Sequence, residues 1–127
     1  MKPRPAVMSY AWPSGDQDIK PYVRRAHDAG AKVTYMAGSV AEALRGTAAG
    51  ADIIVAQGTE AGGHCGEVST LVLVPEVVRA LEKAGHDIPV LAAGGIMTGG
   101  QMAGMMAAGA QGAWTGSIWL PTPEAET

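Results

Sequence analysis

Phenylalanine is absent from this 127-residue sequence, cysteine occurs once, and aromatic residues make up only 5% of the chain. A single cysteine excludes an internal disulfide framework and is typical of a reducing cytoplasm, which is the location we expect. No apolar run approaches the roughly 20 residues that span a bilayer, and the opening MKPRPAVMSY lacks the apolar stretch of a signal peptide. The net charge of −3 disfavours nucleic-acid binding, which requires a basic surface.

Glycine, by contrast, is abundant, and four of the 18 glycines mark an internal repeat. They lie in DAGAK, AAGAD, KAGHD and AAGAQ, at residues 28–32, 48–52, 83–87 and 107–111. Each follows a helical pattern, as expected of a left-handed glycine that ends a helix, and each precedes an apolar, β-prone run. With the strand-like AVMSYAW near the N-terminus, the repeat predicts the order β-α-β-α-β-loop-α-β-α-β.

Start signals accompany three of the predicted helices. Ser39 with Glu42, and Thr98 with Gln101, have the spacing of a capping box, in which the two residues satisfy each other's backbone N–H groups. Pro75 suits the first turn of the third helix, where its missing N–H has no intrahelical partner to lose.

Alternating strands and helices predict one α/β domain, residues 1–127, with parallel strands joined by right-handed crossovers. Two architectures fit: an open, doubly wound sheet of flavodoxin type, and consecutive (β/α) units of a TIM barrel. The later strands, VLAAGGI and GAWTGSI, carry few bulky side chains at their C-terminal ends, which leaves room for a ligand at the top of a barrel. This favours the barrel, and since a barrel takes about 250 residues, we expect an incomplete one here.

The first candidate site is the segment QGTEAGGHCGEVST, residues 57–70, which follows the strand-like ADIIVA. Ligands of parallel α/β folds bind at the C-terminal ends of the strands, where Gln57 lies. Gly62 and Gly63 allow the backbone to approach a flat or charged ligand. His64 would then lie over that ligand, where an imidazole can accept a proton near neutral pH. The alternative is an ordinary solvent-exposed histidine.

Two further motifs predict an anion site. In AAGGIMTGGQ, Gly94 and Gly95 end a strand and Thr98 opens a helix, so accessible N–H groups and a helix N-terminus coincide. In GAWTGSIW, residues 115–117 offer hydroxyls and N–H groups at the end of the last strand. Two successive units of this kind match the barrel phosphate site formed after strands 7 and 8. The chain is therefore predicted to cover about strands 4 to 8.

Other chemistry is disfavoured in the histidine loop. Adjacent side chains point apart on an extended backbone, which argues against a nucleophilic pair of Cys65 with His64. No second cysteine or suitably spaced histidine joins them, so no metal site is expected. Glu60 is either a polar group of the site or a solvated side chain.

The segments AQGTEAGGHCG, IPVLAAGGIMTG and GAQGAWTGSIWL resemble the nitronate monooxygenases, also called 2-nitropropane dioxygenases. The resemblance runs from about Pro5 to Leu120. It implies an FMN-dependent TIM-barrel enzyme that oxidises alkyl nitronates or nitroalkanes with O₂ to carbonyl compounds and nitrite. Three other interpretations stay open: an FMN-dependent enoyl-acyl-carrier-protein reductase of the same superfamily, a non-catalytic domain that binds a phosphate ligand, and an inactive fragment.

The resemblance also implies roles for individual residues. His64 corresponds to the catalytic base, or to the group that orients the nitronate. The implied FMN-binding residues are Gln57, Gly62, Gly63, Gly94, Gly95, Trp114, Thr115, Gly116 and Ser117. Trp114 stands where the family usually has glutamine, and Ser117 where it has threonine. The first three βα units of the family are not in this sequence, so the expected activity is that of a complete barrel.

Overall fold

The computed structural model of the chain describes residues 3–13 and 15–125. The strands are β1 (Val7–Ala11), β2 (Lys32–Ala37), β3 (Ile53–Gln57), β4 (Val90–Ala93) and β5 (Gly112–Trp114). The helices are α1 (Lys20–Asp28), α2 (Val40–Ala48), α3 (Thr70–Lys83) and α4 (Gly99–Ala107), followed by a 3₁₀ helix at Ser117–Trp119. The predicted order of elements is confirmed, including the long loop between β3 and α3.

All strand pairings are parallel, and the strands lie in the sheet in the order in which they occur along the chain. Because every crossover advances in the same direction and crossovers are right-handed, the helices lie on one face of the sheet. A doubly wound sheet needs a reversal of strand order, which this sheet lacks. The structure therefore confirms the predicted run of barrel-type units and excludes the doubly wound alternative.

The two faces of the sheet differ because side chains alternate along each strand. The face under the helices carries the main hydrophobic core, including Tyr35 and Ile54, which are fully buried. Tyr35 packs directly on Gly46 of α2, where an added Cβ would clash with the tyrosine ring. We call the opposite face the inner face; Gln57 and Trp114 lie on it at the C-terminal ends of their strands.

Glycines end the four helices as the repeat predicted. Gly30, Gly50, Gly85 and Gly109 all have positive φ, between 79° and 111°. This backbone conformation is easy only for glycine, and it turns the chain from the end of a helix into the next strand.

The prediction for Pro75 is wrong. Helix α3 begins at Thr70, after the N-cap Ser69, so Pro75 lies inside the helix and not in its first turn. The proline cannot donate to the carbonyl of Leu71, but Leu71 is 68% exposed and water can donate to that carbonyl instead.

No helix in the described ranges has both the length and the hydrophobicity needed to cross a membrane.

Candidate functional site

The carboxyl ends of β3, β4 and β5 surround a cavity of about 470 Å³. Its wall comes from the loop after β3, the turn between β4 and α4, and the segment that follows β5. The predicted site residues that line it are Gly62, Gly94, Gly95, Trp114, Thr115, Gly116 and Ser117. The structure thus brings together three motifs that lie far apart along the chain.

The turn after β4 forms the floor of this cavity and requires glycine at two positions. Gly94 and Gly95 have φ values of 106° and 72°, a conformation that residues with a Cβ rarely adopt. A Cβ at Gly94 would also lie only 2.7 Å from the hydroxyl oxygen of Thr70. The turn is therefore compact, and its backbone is open to the cavity.

Helix α4 is tied to this turn by its capping box. The Thr98 hydroxyl accepts a hydrogen bond from Gln101 N at 3.2 Å, and the Gln101 side-chain oxygen accepts from Thr98 N at 3.0 Å. The Gln101 side-chain amide also donates to the carbonyl of Gly95 at 3.1 Å. The cap therefore holds both the start of the helix and the glycine turn that lines the cavity.

The third wall is the segment after β5. Trp114 is 38% exposed, and the Thr115 hydroxyl accepts a hydrogen bond from the indole N–H of Trp119 at 3.0 Å. This bond spans the 3₁₀ helix and holds the segment in a compact turn. Met97 and Leu120 add apolar lining that the sequence analysis did not identify.

Gln57 lies outside the cavity lining, at the end of β3 beside Ala93, which does line it. Its side chain is 6% exposed. The amide nitrogen donates to the backbone carbonyl of His64 at 3.0 Å, whereas the amide oxygen is buried without a hydrogen-bond partner. A buried oxygen without a hydrogen-bond partner destabilises the folded chain, and such atoms are rare in folded proteins.

His64 is exposed and lies on the other side of the loop, towards β1. Its ring packs against Trp12, with centroids 4.2 Å apart and planes tilted by 40°. Trp12 has a φ of 52°, a strained conformation for a tryptophan. Gly38 makes room for the indole, since a Cβ there would lie 2.8 Å from the ring. Gly63, also outside the cavity lining, has a φ of 74° and sets the turn that presents His64.

Glu60 and Thr70 join the loop to the base of the cavity, and Thr70 was not identified from the sequence. One Glu60 oxygen accepts from Thr70 N at 2.8 Å and from the Thr70 hydroxyl at 2.7 Å. Desolvation raises the pKa of Glu60, but these two hydrogen bonds and one from the Glu60 backbone N–H together outweigh it and lower that pKa below its usual value. The carboxylate is therefore ionised at neutral pH.

Cys65 is half-buried, with its sulfur 3.7 Å from the carbonyl oxygen of Thr59. Within residues 3–13 and 15–125, no three or more His, Cys, Asp or Glu side chains are grouped closely enough to hold a metal ion.

Fold and site together define a protein of the (β/α) barrel type with a glycine-lined cavity at the C-terminal ends of its strands. Residues 3–127 match the sequence profile of the nitronate monooxygenase family, and the chain belongs to that family. The Mycobacterium tuberculosis protein Rv1533, which is assigned to the monooxygenases, is 58% identical over 105 residues. That match covers 83% of this chain and 27% of the relative, so the chain spans little more than a quarter of its length.

Two solved structures show the same arrangement. FabK from Thermotoga maritima superposes with a TM-score of 0.83 and 36% identity, over 94% of this chain and 36% of its own. A nitroalkane oxidase from Streptomyces ansochromogenes gives a TM-score of 0.79 and 38% identity, over 93% of this chain and 35% of its own.

Proposed function

We propose that this chain contributes the FMN site of an oxidoreductase that converts alkyl nitronates and O₂ into carbonyl compounds and nitrite. The observation that carries the proposal is the cavity at the carboxyl ends of the strands, which is lined by Gly62, Gly94, Gly95, Trp114, Thr115, Gly116 and Ser117. Gln57 lies beside this cavity, next to Ala93, and its amide nitrogen donates to the loop that presents His64. The family resemblance implies that Gln57 also contacts the flavin, and we propose that role for it here.

The residues around the cavity fit the phosphate end of FMN. The left-handed turn at Gly94 and Gly95 exposes backbone at the start of α4, and the segment 115–117 closes the opposite wall. Backbone N–H groups near a helix N-terminus are a common cradle for phosphate. The cavity of about 470 Å³ lies within the range of roughly 300–1,000 Å³ that is typical of small-molecule sites.

His64 is proposed as the base. A neutral nitroalkane must lose the proton on its α-carbon before it can be oxidised, and an imidazole can accept it. Contact with the Trp12 ring and the hydrogen bond from Gln57 to the His64 carbonyl restrict where the imidazole lies. Bound FMN would then supply the redox chemistry, taking electrons from the nitronate and passing them to O₂.

A second candidate is an FMN-dependent enoyl-thioester reductase. The neighbour FabK fits this candidate, and its TM-score of 0.83 is slightly above the 0.79 of the nitroalkane oxidase. The phosphate cradle would serve both activities equally, so the distinction depends on the substrate side of the site.

The first experiment is a titration of the purified chain with FMN, followed by quenching of flavin fluorescence. We expect saturable binding at micromolar FMN for the wild type, for His64→Ala, and for the control His86→Ala, whose exposed histidine follows the far end of α3. Absence of quenching by a chain that circular dichroism shows to be folded would contradict the proposal.

Turnover then separates the two candidates. In a complete barrel that includes this chain, we expect nitrite release and O₂ uptake with 2-nitropropane, lost in His64→Ala and kept in His86→Ala. The preformed nitronate needs no base, so its oxidation should be much less sensitive to the loss of His64. Oxidation of NAD(P)H with an enoyl thioester, without nitrite release from a nitronate, would favour the reductase instead.

A further inference from the structure

Thr70 is the first residue of α3, and its side chain, 5% exposed, is buried beneath the glycine turn that lines the cavity. Its hydroxyl oxygen lies 2.7 Å from a carboxylate oxygen of Glu60, 3.2 Å from the carbonyl oxygen of Ala93 and 3.0 Å from that of Gly94. A threonine hydroxyl has one proton, which these three acceptors share. One side chain thus joins the loop after β3, the start of α3 and the turn after β4.

The surrounding backbone is shaped to admit this side chain. A Cβ at Gly58 would clash with the Thr70 hydroxyl and backbone, and a Cβ at Gly94 would lie 2.7 Å from the same hydroxyl. Gly94 also needs its left-handed φ of 106°. The turn can therefore take its observed position only with glycine at both places and a small side chain between them.

The Glu60 carboxylate places a negative charge next to the Gly94–Gly95 turn and Thr70. Its carboxylate is ionised at neutral pH and borders the cavity, where it would repel a phosphate. A Cβ at Gly95 would lie 3.1 Å from the Cβ of Glu60, so the acid is directly beside the turn. The N–H and the hydroxyl of Thr70 hold the carboxylate at the N-terminus of α3, where the helix dipole favours negative charge.

We infer that Thr70 is a positioning residue for phosphate binding: it orders the Gly94–Gly95 turn and keeps the Glu60 carboxylate out of the anion site. This inference rests on the proposed FMN site and goes beyond it, because it assigns the selectivity for a phosphorylated flavin to a residue that does not line the cavity. The Thr70 hydroxyl acts through Gly94 and Glu60 and not through contact with the ligand.

The test compares FMN with riboflavin, which has the same ring system and no phosphate. We expect Thr70→Val, which keeps the shape and removes the hydroxyl, to weaken FMN binding roughly tenfold, as for the loss of one charge-assisted hydrogen bond. Riboflavin binding should stay within about twofold, since only the anion site is disturbed. Thr70→Ser restores the hydroxyl and should recover FMN binding.

A double variant tests the part played by Glu60. If the released carboxylate repels the phosphate, adding Glu60→Gln to Thr70→Val should tighten FMN binding again and leave riboflavin binding unchanged. If Thr70→Val weakened the binding of FMN and of riboflavin equally, or did not weaken FMN binding, the inference would be overturned. The proposed FMN site would still stand. Failure of the wild-type chain to bind FMN would instead overturn the proposed function, and this inference with it.

Discussion

Gln57 shows how one buried side chain can both stabilise and destabilise the folded chain. Its amide nitrogen is satisfied by the carbonyl of His64, but its buried oxygen has no partner. Burying an unpaired acceptor costs about 1–3 kcal/mol, which is comparable to the gain from the hydrogen bond that the same amide donates. The two terms oppose each other in the folded chain.

Gln57→Leu separates the two roles. We expect the free energy of unfolding without FMN to change by less than about 1 kcal/mol, because the lost hydrogen bond and the removed unpaired oxygen offset each other. The proposed contact of Gln57 with the flavin predicts that FMN affinity falls roughly tenfold as well. Urea unfolding and FMN titration measure the two effects. A free energy of unfolding well below that of the wild type, with unchanged FMN affinity, would show that Gln57 has only a structural role.

Helices α2 and α4 begin in related ways but have different neighbours. In α2 the Ser39 hydroxyl accepts from Glu42 N, while the Glu42 carboxylate accepts from Gly38 N and not from the backbone of Ser39. The predicted box is therefore only half formed in α2. In α4 both halves of the box are present, and Gln101 also reaches the glycine turn of the cavity.

This difference gives a matched pair of variants, Thr98→Ala and Ser39→Ala. Each should destabilise the fold by about 1 kcal/mol, because each removes one N-cap acceptor. Only Thr98→Ala should also weaken FMN binding, because only its helix is joined to the anion site. Urea unfolding with and without FMN compares them. Equal FMN affinity in the two variants would show that the cap of α4 has no part in binding.

At the opposite end of the sheet from the cavity, Asp52 links three elements of the fold. One of its carboxylate oxygens accepts from Val33 N in β2 at 2.7 Å and lies 2.9 Å from the His27 ring nitrogen of α1. Desolvation raises the pKa of Asp52, but the hydrogen bonds from Val33 and His27, together with electrostatic attraction to His27 and Lys32, outweigh it and lower that pKa below its usual value of 3.8. The ionised carboxylate therefore stabilises the folded chain.

The pH dependence of global unfolding tests this contribution. A folded-state pKa below the unfolded value means that the stabilisation is fully present above pH 3.8 and is lost as the pH falls through the folded-state pKa. We expect Asp52→Asn to be less stable than wild type at pH 7, with a difference that shrinks as the pH falls below about 4. A difference that stays constant down to pH 3 would contradict this account.

The sequence alone determined the order of strands and helices, the glycines that end the helices, and the strand-end motifs that resemble the nitronate monooxygenases. These signals act within a few residues, through side-chain periodicity, caps and left-handed glycine, so they can be recognised in the printed sequence. The same local reasoning failed at Pro75, because the tertiary position of α3 allows that helix to begin five residues before the proline.

Only the tertiary structure decided which of these residues come into contact. The contact of Trp12 with His64, and that of Thr70 with Gly94, join residues far apart in the chain. They exist because all the strands are parallel, which puts their carboxyl ends along one edge of the sheet, and because the sequential order makes successive strands neighbours. Strand order and register arise from packing between distant segments, and no local pattern encodes them. For that reason the phosphate motifs could be found from the sequence, whereas the threonine that orders them could not.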